Sequence, residues 1–593
     1  MQIFSDKTFE NPLQRIVAFT TSEVQNAFME IEKLKASHYI LMYLRYEARD
    51  CFIPCDVKSE LPLLYAEVYD HYKPYKPNPV REIGLTVHPD IFYDDYAAAL
   101  NEIHEEIALG NTYEVNYTYD FNIHQLASCG LFNVQFDGDD TNQSDTDQPE
   151  MTLYENLLTK QKTPYNAFIK NQWDTVLSFS PELFFKIHYI ASPKGSCEAH
   201  IITKPMKGTA RRGANKTEDE ALKTFLQNDI KNRAENVMIV DLLRNDLGRI
   251  AKTNSVCVTK LFEIETHPTV HQMTSQIEAD LKDNTTLYDV FRALYPCGSI
   301  TGAPKISTMN IINRLEKGRR NIYCGTIGLL NPETGVLGEA AGAVFSVPIR
   351  ILQKSKHERC WKYRVGGAIV WDSDIQDEWM ETITKARILN SEFQLIETMK
   401  LQNGKILYLD EHLERLEKSA KHFKYLYNDD IKVDICKQLN RPERTDVMVR
   451  LLLFKSGAYT IEYKNIVETS VNKVRISPLT VDSTYVYLYH KTTVRPYYHV
   501  NYNKYYDELF FNERDELTEG SRTNIIVEIS DSEKKPGLWT PPVSCGLLNG
   551  VFRQKMLNAG ECRERIITKE DLRYATHIYC VNSARGAKEV QLE

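Results

Sequence analysis

Two lysines and a handful of carboxylates in this sequence stand in settings that could do chemistry. Glu378 and Glu381, in Asp377-Glu-Trp-Met-Glu-Thr-Ile-Thr-Lys385, lie three residues apart on an expected helix, so both carboxylates project from one face. Their repulsion is offset by a shared cation. With Glu235, at the head of an apolar helical run (VMIV), they form a donor set suited to a hard ion held by oxygens, Mg²⁺ rather than zinc. Lys207, in Lys204-Pro-Met-Lys-Gly-Thr209, could act as a nucleophilic amine if burial or a neighbouring cation lowers its pKa. Cys297-Gly-Ser-Ile-Thr-Gly-Ala-Pro-Lys305 lacks the spacing of a P-loop, but its glycines expose backbone N–H groups to an anion. Lys491 follows the strand-like run YVYLYH (485–490), a placement that suits a covalently held carbonyl cofactor. Downstream, Glu519-Gly-Ser-Arg-Thr-Asn524 turns into the strand IIVEI. Cys545-Gly-Leu-Leu-Asn-Gly-Val-Phe-Arg553 opens a helix whose first N–H groups can receive a phosphate.

These residues must be held by more than one core, since 593 residues exceed an ordinary single domain. The run 377–389 reads as a helix and 393–399 as the start of a new strand. Asn403-Gly404 reads as a turn, and the helix after it carries Leu413, Leu416 and Ala420 on one face. The expected division is therefore residues 1–390 and residues 391–593. The segment from Phe136 to Glu150, FDGDDTNQSDTDQPE, is acidic and polar and reads as a solvated insertion. A net charge of -9 argues against nucleic acid or an anionic membrane as partner. No apolar run reaches the roughly 20 residues of a membrane span, and the first residues show no secretory signal. The twelve cysteines are scattered without zinc spacing and read as reduced thiols, so a cytoplasmic location is expected.

Taken in order, Ser180-Pro-Glu182, PMKGT, AENVMIVDLLRNDLGR (234–249), GSITGAPK and Tyr323-x-Gly325-x-x-Gly328 resemble the chorismate-utilising enzymes, a group that includes anthranilate synthase, isochorismate synthase and aminodeoxychorismate synthase component I. The resemblance spans roughly residues 178–385. It implies an α+β fold, an antiparallel β-sandwich with helices. It also implies Glu182 as general acid, Glu235 and Glu381 as Mg²⁺ ligands with Glu378 alongside, and substrate contacts from His271, Lys305, Tyr323, Gly325 and Arg350. Sequences of the aminodeoxychorismate synthase kind carry lysine where the anthranilate synthase kind has alanine, and Lys207 fills that position. Such a lysine makes the first bond to the ring, at C2, before ammonia displaces it at C4.

The second half resembles fold type IV pyridoxal phosphate enzymes, over about residues 393–593 and including His412-Leu-Glu-Arg-Leu416 and Asn582-Ser583. That resemblance implies an α/β domain in which Lys491 holds pyridoxal 5'-phosphate and Glu519 faces the pyridine nitrogen. Arg415, the N–H groups at Val551 and Phe552, and Ser583 would bind the phosphate. Phe552 stands where aminotransferases often have a hydroxyl residue, which leans towards a lyase. The pair of resemblances implies conversion of chorismate and ammonia to 4-amino-4-deoxychorismate, then elimination of pyruvate to 4-aminobenzoate for folate synthesis. Alternatives are an anthranilate synthase-like half joined to an amino acid aminotransferase, or one half inactive and regulatory. No glutaminase elbow is visible, so ammonia would arrive free or from a separate glutamine amidotransferase subunit. A homodimer through the second half is the further expectation.

Overall fold

The structure is a computed structural model describing residues 1–53, 57–78, 83–125, 132–136, 149–191, 197–213, 215–267, 270–332, 342–390, 393–438, 446–467, 469–529 and 537–593. The chain forms two compact units. One comprises Met1–Val80, Asp95–Ile123 and Glu150–Thr382; the other comprises Arg81–Asp94, His124–Pro149 and Ile383–Glu593. The expected junction at 390 lies just past the last residue of the first unit. The second unit in addition takes in two segments from inside the N-terminal half. Most of the acidic run 136–150 lies outside the described residues.

The first unit is a pair of large antiparallel sheets around one core. One sheet runs in the order Gly302–Ala303, Glu114–Gln125, Trp361–Ile369, Ile351–Ser355, Asp174–Ser180, Tyr165–Lys170, and on to the N-terminal strands. The other runs Met206–Arg211, Val270–Asp280, Cys197–Lys204, Leu183–Ala191, Gly342–Ser346, Thr326–Asn331, Tyr39–Leu44 and Leu64–Tyr69. Apolar strands such as Tyr39–Leu44 are buried along their whole length, the mark of central strands covered on both faces. The helix Thr21–Leu34 is opened by a capping box between Thr20 and Glu23 and presents Val24, Ala27, Phe28 and Ile31 to this core.

The chain crosses between sheets at Ser180-Pro-Glu182, since Asp174–Ser180 belongs to one sheet and Leu183–Ala191 to the other. Lys207 lies on a strand that closes one end of the second sheet. Glu114 begins the strand next to the end of the first.

The second unit holds a five-stranded sheet in the order Lys405–Ile406, Leu395–Gln402, Val447–Leu453, Tyr459–Asn465 and Phe132–Phe136, the last pair parallel. Its seven-stranded sheet includes Asp507–Asn512, Ala575–Asn582 and Asn524–Ile529. Asn403 and Gly404 both take positive φ, so the two-residue turn expected there is a primed hairpin turn joining Leu401–Gln402 to Lys405–Ile406. Helix Leu409–Phe423 buries Leu413, Leu416 and Ala420 as its spacing requires. The run before Lys491 departs from expectation: Val486–Tyr489 is a 3-10 turn, not a strand. Its tyrosines favour strands, but Tyr485 and Leu488 donate their N–H groups three residues back, to Asp482 and Tyr485. Lys491 then enters a short extended stretch in which its carbonyl accepts from Ile396 N–H. Among the described residues, no helix is long and apolar enough to cross a membrane.

Candidate active sites

In the first unit, the separate sequence islands meet at Glu182. Ser299, from the glycine-rich island, donates through Oγ to Glu182 Oε1 at 2.7 Å. Burial raises the Glu182 carboxyl to about 7, against the opposing influence of Ser299, Lys207 and the Met206 N–H. Lys305 Nζ donates to Asp246 Oδ2 at 2.6 Å, tying the glycine-rich island to the helix Ile230–Gly248, and also to the carbonyl of Leu294. Gly298 packs so tightly on Leu242 of that helix that a Cβ would lie 2.3 Å from Leu242 Cδ2.

Lys207 reaches its position through a bulge. Met206 pairs with Thr274 and Thr209 with Gln272, so Lys207 and Gly208 together oppose one residue. Gly208 takes φ +84, and a Cβ there would come within 2.7 Å of Asn232 Oδ1. The bulge turns the Lys207 side chain inward, where Nζ donates to Glu114 Oε1 at 2.6 Å. This bond links residues carried by different sheets.

The expected lowering of the Lys207 pKa is not what this geometry produces. Burial pushes it down, but Glu114, Glu235 and Glu182 outweigh burial and hold the ammonium above its ordinary value. Glu114 itself was not singled out by sequence. It is fully buried, and its Oε2 has no hydrogen-bond partner among the described residues. Gly302, at φ +135, lets the glycine-rich island lie directly against this strand, since a Cβ would meet the Glu114 carbonyl at 1.9 Å. The glycine there serves close strand approach.

Glu235 falls in the second turn of its helix, which starts at Ile230 behind an Asp229 cap. Burial raises its pKa, and the carboxylates of Glu114 and Glu378 raise it further, against Lys207. Glu378 is buried and accepts from Ser373 Oγ at 2.7 Å, whereas Glu381 is exposed. Both carboxylates raise the pKa of Tyr96, after its burial, and the Tyr96 hydroxyl has no partner among the described residues. No three His, Cys, Asp or Glu side chains among the described residues converge closely enough to hold a metal. The donor set nevertheless fits a hard cation by charge. Glu114 and Glu235 face the Lys207 ammonium, Glu378 lies close enough to Glu235 to raise its pKa, and two buried oxygens, Glu114 Oε2 and the Tyr96 hydroxyl, are unsatisfied among the described residues.

The remaining expected substrate residues are spread more widely. His271 is buried with both ring nitrogens engaged, by Thr266 Oγ1 and by Asp219 Oδ1, each at 3.0 Å. Tyr323 is buried, and Gly325 leaves no room for a Cβ, which would lie 2.2 Å from the Leu44 carbonyl. Arg350 sits at φ 55, its carbonyl accepting from Phe179 N–H.

In the second unit Lys491 is half-buried. Burial, reinforced by the nearby Arg415 charge, lowers its pKa to about 7. It shares a small cavity of about 20 Å³ with Glu519, Arg495, Tyr497 and Tyr498. Glu519 accepts from Tyr498 Oη at 2.9 Å and from Asn524 Nδ2 and Leu548 N–H, each at 3.2 Å; burial raises its carboxyl to about 7. Buried Asp507 fixes the loop that carries Glu519, accepting from Ser521 N–H, Ser521 Oγ and Thr523 Oγ1.

Glu397 grips Arg415 through both oxygens and also accepts from His412 Nδ1 at 2.6 Å. Although burial works the other way, Arg415 and His412 bring Glu397 down to about 2. Arg415 Nη1 lies 3.4 Å from the Asn549 carbonyl, beside the start of helix Val551–Asn558. No side chain caps that helix, so the first N–H groups at Val551 and Phe552 remain available. Gly550 permits the approach, because a Cβ would fall 2.0 Å from Asn524 Oδ1. Ser583 follows the strand Ala575–Asn582, in which Val581 pairs with Asn524. A half-buried lysine of lowered pKa, a carboxyl across the cavity and an uncapped helix start beside an arginine fit pyridoxal phosphate by donor chemistry.

Residues 54–391 match the sequence profile described as chorismate binding enzyme, and residues 394–592 that of amino-transferase class IV. The aminodeoxychorismate synthase of Streptomyces griseus is 38% identical over 305 residues, covering 51% of this chain and 37% of that protein. The aminodeoxychorismate synthase component 1 of Escherichia coli K12 is 35% identical over 302 residues, covering 50% and 57%. The chain thus spans only 37% to 57% of the length of these curated relatives. Anthranilate synthase component I from Streptococcus pneumoniae shares the fold, with TM-score 0.50 and 21% identity over 65% of this chain and 92% of that one. The chain belongs to the chorismate binding enzyme family and carries a class IV amino-transferase segment on the same polypeptide.

Proposed function

We propose that this chain converts chorismate and ammonia to 4-amino-4-deoxychorismate in its first unit and eliminates pyruvate from that product in its second, giving 4-aminobenzoate. The observation that carries the reading is the buried Lys207–Glu114 pair in the same unit as the protonated-range carboxyl of Glu182. Lys207 must be neutral to attack, and Glu114, hydrogen-bonded to its Nζ, is placed to accept the proton. The amine then bonds to C2 of chorismate as the C4–O bond breaks, and Glu182 supplies the proton with which the hydroxyl leaves as water. Ammonia next bonds to C4 while the bond from C2 to Nζ breaks, which regenerates the lysine. Glu235 and Glu381, with Glu378 alongside, would hold Mg²⁺, whose charge would neutralise the substrate's ring carboxylate.

Pyridoxal phosphate supplies an electron sink for carbanion chemistry when bound. Lys491 would hold it, Glu519 would face its ring nitrogen, and Arg415 with the N–H groups of Val551 and Phe552 and the Ser583 hydroxyl would hold its phosphate. Lys491, with a pKa near 7, would take the proton from the amine-bearing carbon and, as the C3–O bond breaks, return it to the enol carbon of the departing group, giving pyruvate. His271, Tyr323, Gly325, Arg350 and Lys305 complete or brace the chorismate pocket in this reading. The chain works in the cytoplasm with a separate glutamine amidotransferase as ammonia source, which accords with the name "component 1" of its relatives. The first activity is assigned to residues 1–390 and the second to residues 391–593, completed by the segments of the N-terminal half that belong to the second unit, and the second half pairs as a homodimer.

The test is the purified chain with chorismate, Mg²⁺, pyridoxal phosphate and ammonium, assayed for 4-aminobenzoate and for the aminated intermediate. Lys207→Ala is expected to abolish the intermediate. Undiminished formation by that variant would sink the mechanism.

A further inference from the structure

Three arginines of the second unit, Arg495, Arg522 and Arg585, keep guanidinium nitrogens that no described residue engages. Arg495 lines the cavity that holds Lys491 and donates only through Nη2, to the Ser521 carbonyl. Arg522 donates through Nη2 to the Tyr506 carbonyl at 2.7 Å. The Arg585 guanidinium makes no hydrogen bond or ion pair among the described residues. Arg522 Nε is buried without a partner, but Nε and Nη1 of Arg495, Nη1 of Arg522 and the side-chain nitrogens of Arg585 are all accessible.

The three are linked through Ser521 and Tyr502. Tyr502 Oη and Ser521 Oγ share a hydrogen bond of 2.7 Å, and the Arg522 guanidinium lies over the Tyr502 ring, 4.0 Å from its centroid. Arg585 stands just past the strand Ala575–Asn582, and burial together with the Arg522 charge holds its pKa below the ordinary value. Two carboxylates oppose these cations. Asp507 faces Arg585, but its oxygens are already taken by the N–H groups of Ser521 and Arg522 and the hydroxyls of Ser521 and Thr523. Glu519 acts on Arg495, but its oxygens accept from Tyr498, Asn524 and Leu548. Three cations against two committed carboxylates leave positive charge that an anion would stabilise.

A guanidinium fork matches the two oxygens of a carboxylate. The substrate proposed above for this unit carries two carboxylates, one at C1 of the ring and one on the enolpyruvyl group at C3, and its C4 amine must reach Lys491. C3 adjoins C4, so the enolpyruvyl carboxylate belongs beside Arg495, in the Lys491 cavity. C1 lies across the ring from C4, so the ring carboxylate belongs further out, with Arg522 and Arg585. We propose, resting on that lyase reading, that Arg495, Arg522 and Arg585 bind the two substrate carboxylates and select a cyclic dicarboxylate over amino acids with a single carboxylate.

Tyr502 supplies the remaining surface. It is 41% exposed, so part of its ring is open beside Arg522, where a flat six-membered ring can lie.

Full-length enzyme loaded with pyridoxal phosphate and supplied directly with 4-amino-4-deoxychorismate tests this through the rate of pyruvate release. Arg522→Gln and Arg585→Gln are each expected to raise KM about ten- to a hundredfold, the loss of one charge-assisted contact, with a much smaller change in kcat. Arg585→Lys should recover part of that loss. Lys504→Ala, which removes an exposed cation two residues from Tyr502, should leave KM unchanged. Isothermal titration with benzene-1,3-dicarboxylate and with benzoate reads the site without turnover. The dicarboxylate should bind the more tightly, and Arg585→Gln should weaken its binding about tenfold or more. Failure of the unsubstituted enzyme to release pyruvate would sink the lyase reading, while the titration would still decide the role of the arginines. KM unchanged in both glutamine variants, equal binding of benzoate, or dicarboxylate binding unaffected by Arg585→Gln would each overturn the proposal.

Discussion

Glu182 shows most clearly how a single residue's surroundings set its task. An ordinary glutamate is ionised at neutral pH, but burial leaves this one near 7, where it can still hold a proton to give away. A general acid works in its protonated form, so formation of the aminated intermediate should fall as pH rises through about 7. Glu182→Gln should remove that limb of the profile and reduce the rate by about 10²–10⁴-fold. A profile of the same shape in the variant would assign the limb to another group.

The candidates Lys207, Glu182, Lys491 and Glu519 could be picked out in the sequence because each stands inside a distinctive local string. Glu114 could not. Its role depends on a bulge about ninety residues away, and only the sheet pairing brings the two together. A faint signal existed in the alternation EVNYTYDF, where polar Glu114, Asn116, Thr118 and Asp120 share one side of the strand opposite Val115, Tyr117, Tyr119 and Phe121. Glu114 and Thr118 are fully or almost fully buried, so that polar side faces inward.

At the scale of elements, local backbone rules hold where chemistry is not involved and bend where it is. The Asn403-Gly404 turn and the helix Leu409–Phe423 follow directly from residue type and spacing. The tyrosine-rich run before Lys491 misleads because its aromatic residues serve the cavity wall, not a sheet. Two elements make clear predictions. Gly208→Ala forces a side chain into φ +84 and against Asn232, so it should cost about 1–2 kcal/mol. Because the displaced bulge carries Lys207, formation of the intermediate should drop far more than chemical denaturation reveals.

Glu397 joins the strand Leu395–Gln402 to the helix Leu409–Phe423 through Arg415 and His412. Its folded value of about 2 lies below its ordinary 4.5. The stabilisation is therefore complete above about 4.5 and is lost as pH falls towards 2, on the order of 3 kcal/mol in all. Acid unfolding of the second unit, followed by its near-ultraviolet dichroism, should move to higher pH in Glu397→Gln.

At the scale of the molecule, each unit has its own hydrophobic core, one around Tyr43 and Phe291, the others around Leu451 and around Leu509. Two units with separate cores imply two unfolding transitions, and a ligand raises only the transition of the unit it binds. Calorimetry with and without pyridoxal phosphate should therefore shift one transition and leave the other in place. A common shift of both would show that the cores unfold as one.

The second unit's five-stranded sheet ends on Phe132–Phe136, contributed from deep within the N-terminal half, and Asp94 from the same half pairs with Arg475. The two halves are consequently threaded rather than strung in tandem. A ribosome that has released residues 391–593 completes a sheet begun hundreds of residues earlier, and no single cut in the gene separates the two units cleanly. A protein trimmed to residues 391–593 would bare the Tyr459–Asn465 edge, and it should self-associate through that edge where the intact chain does not.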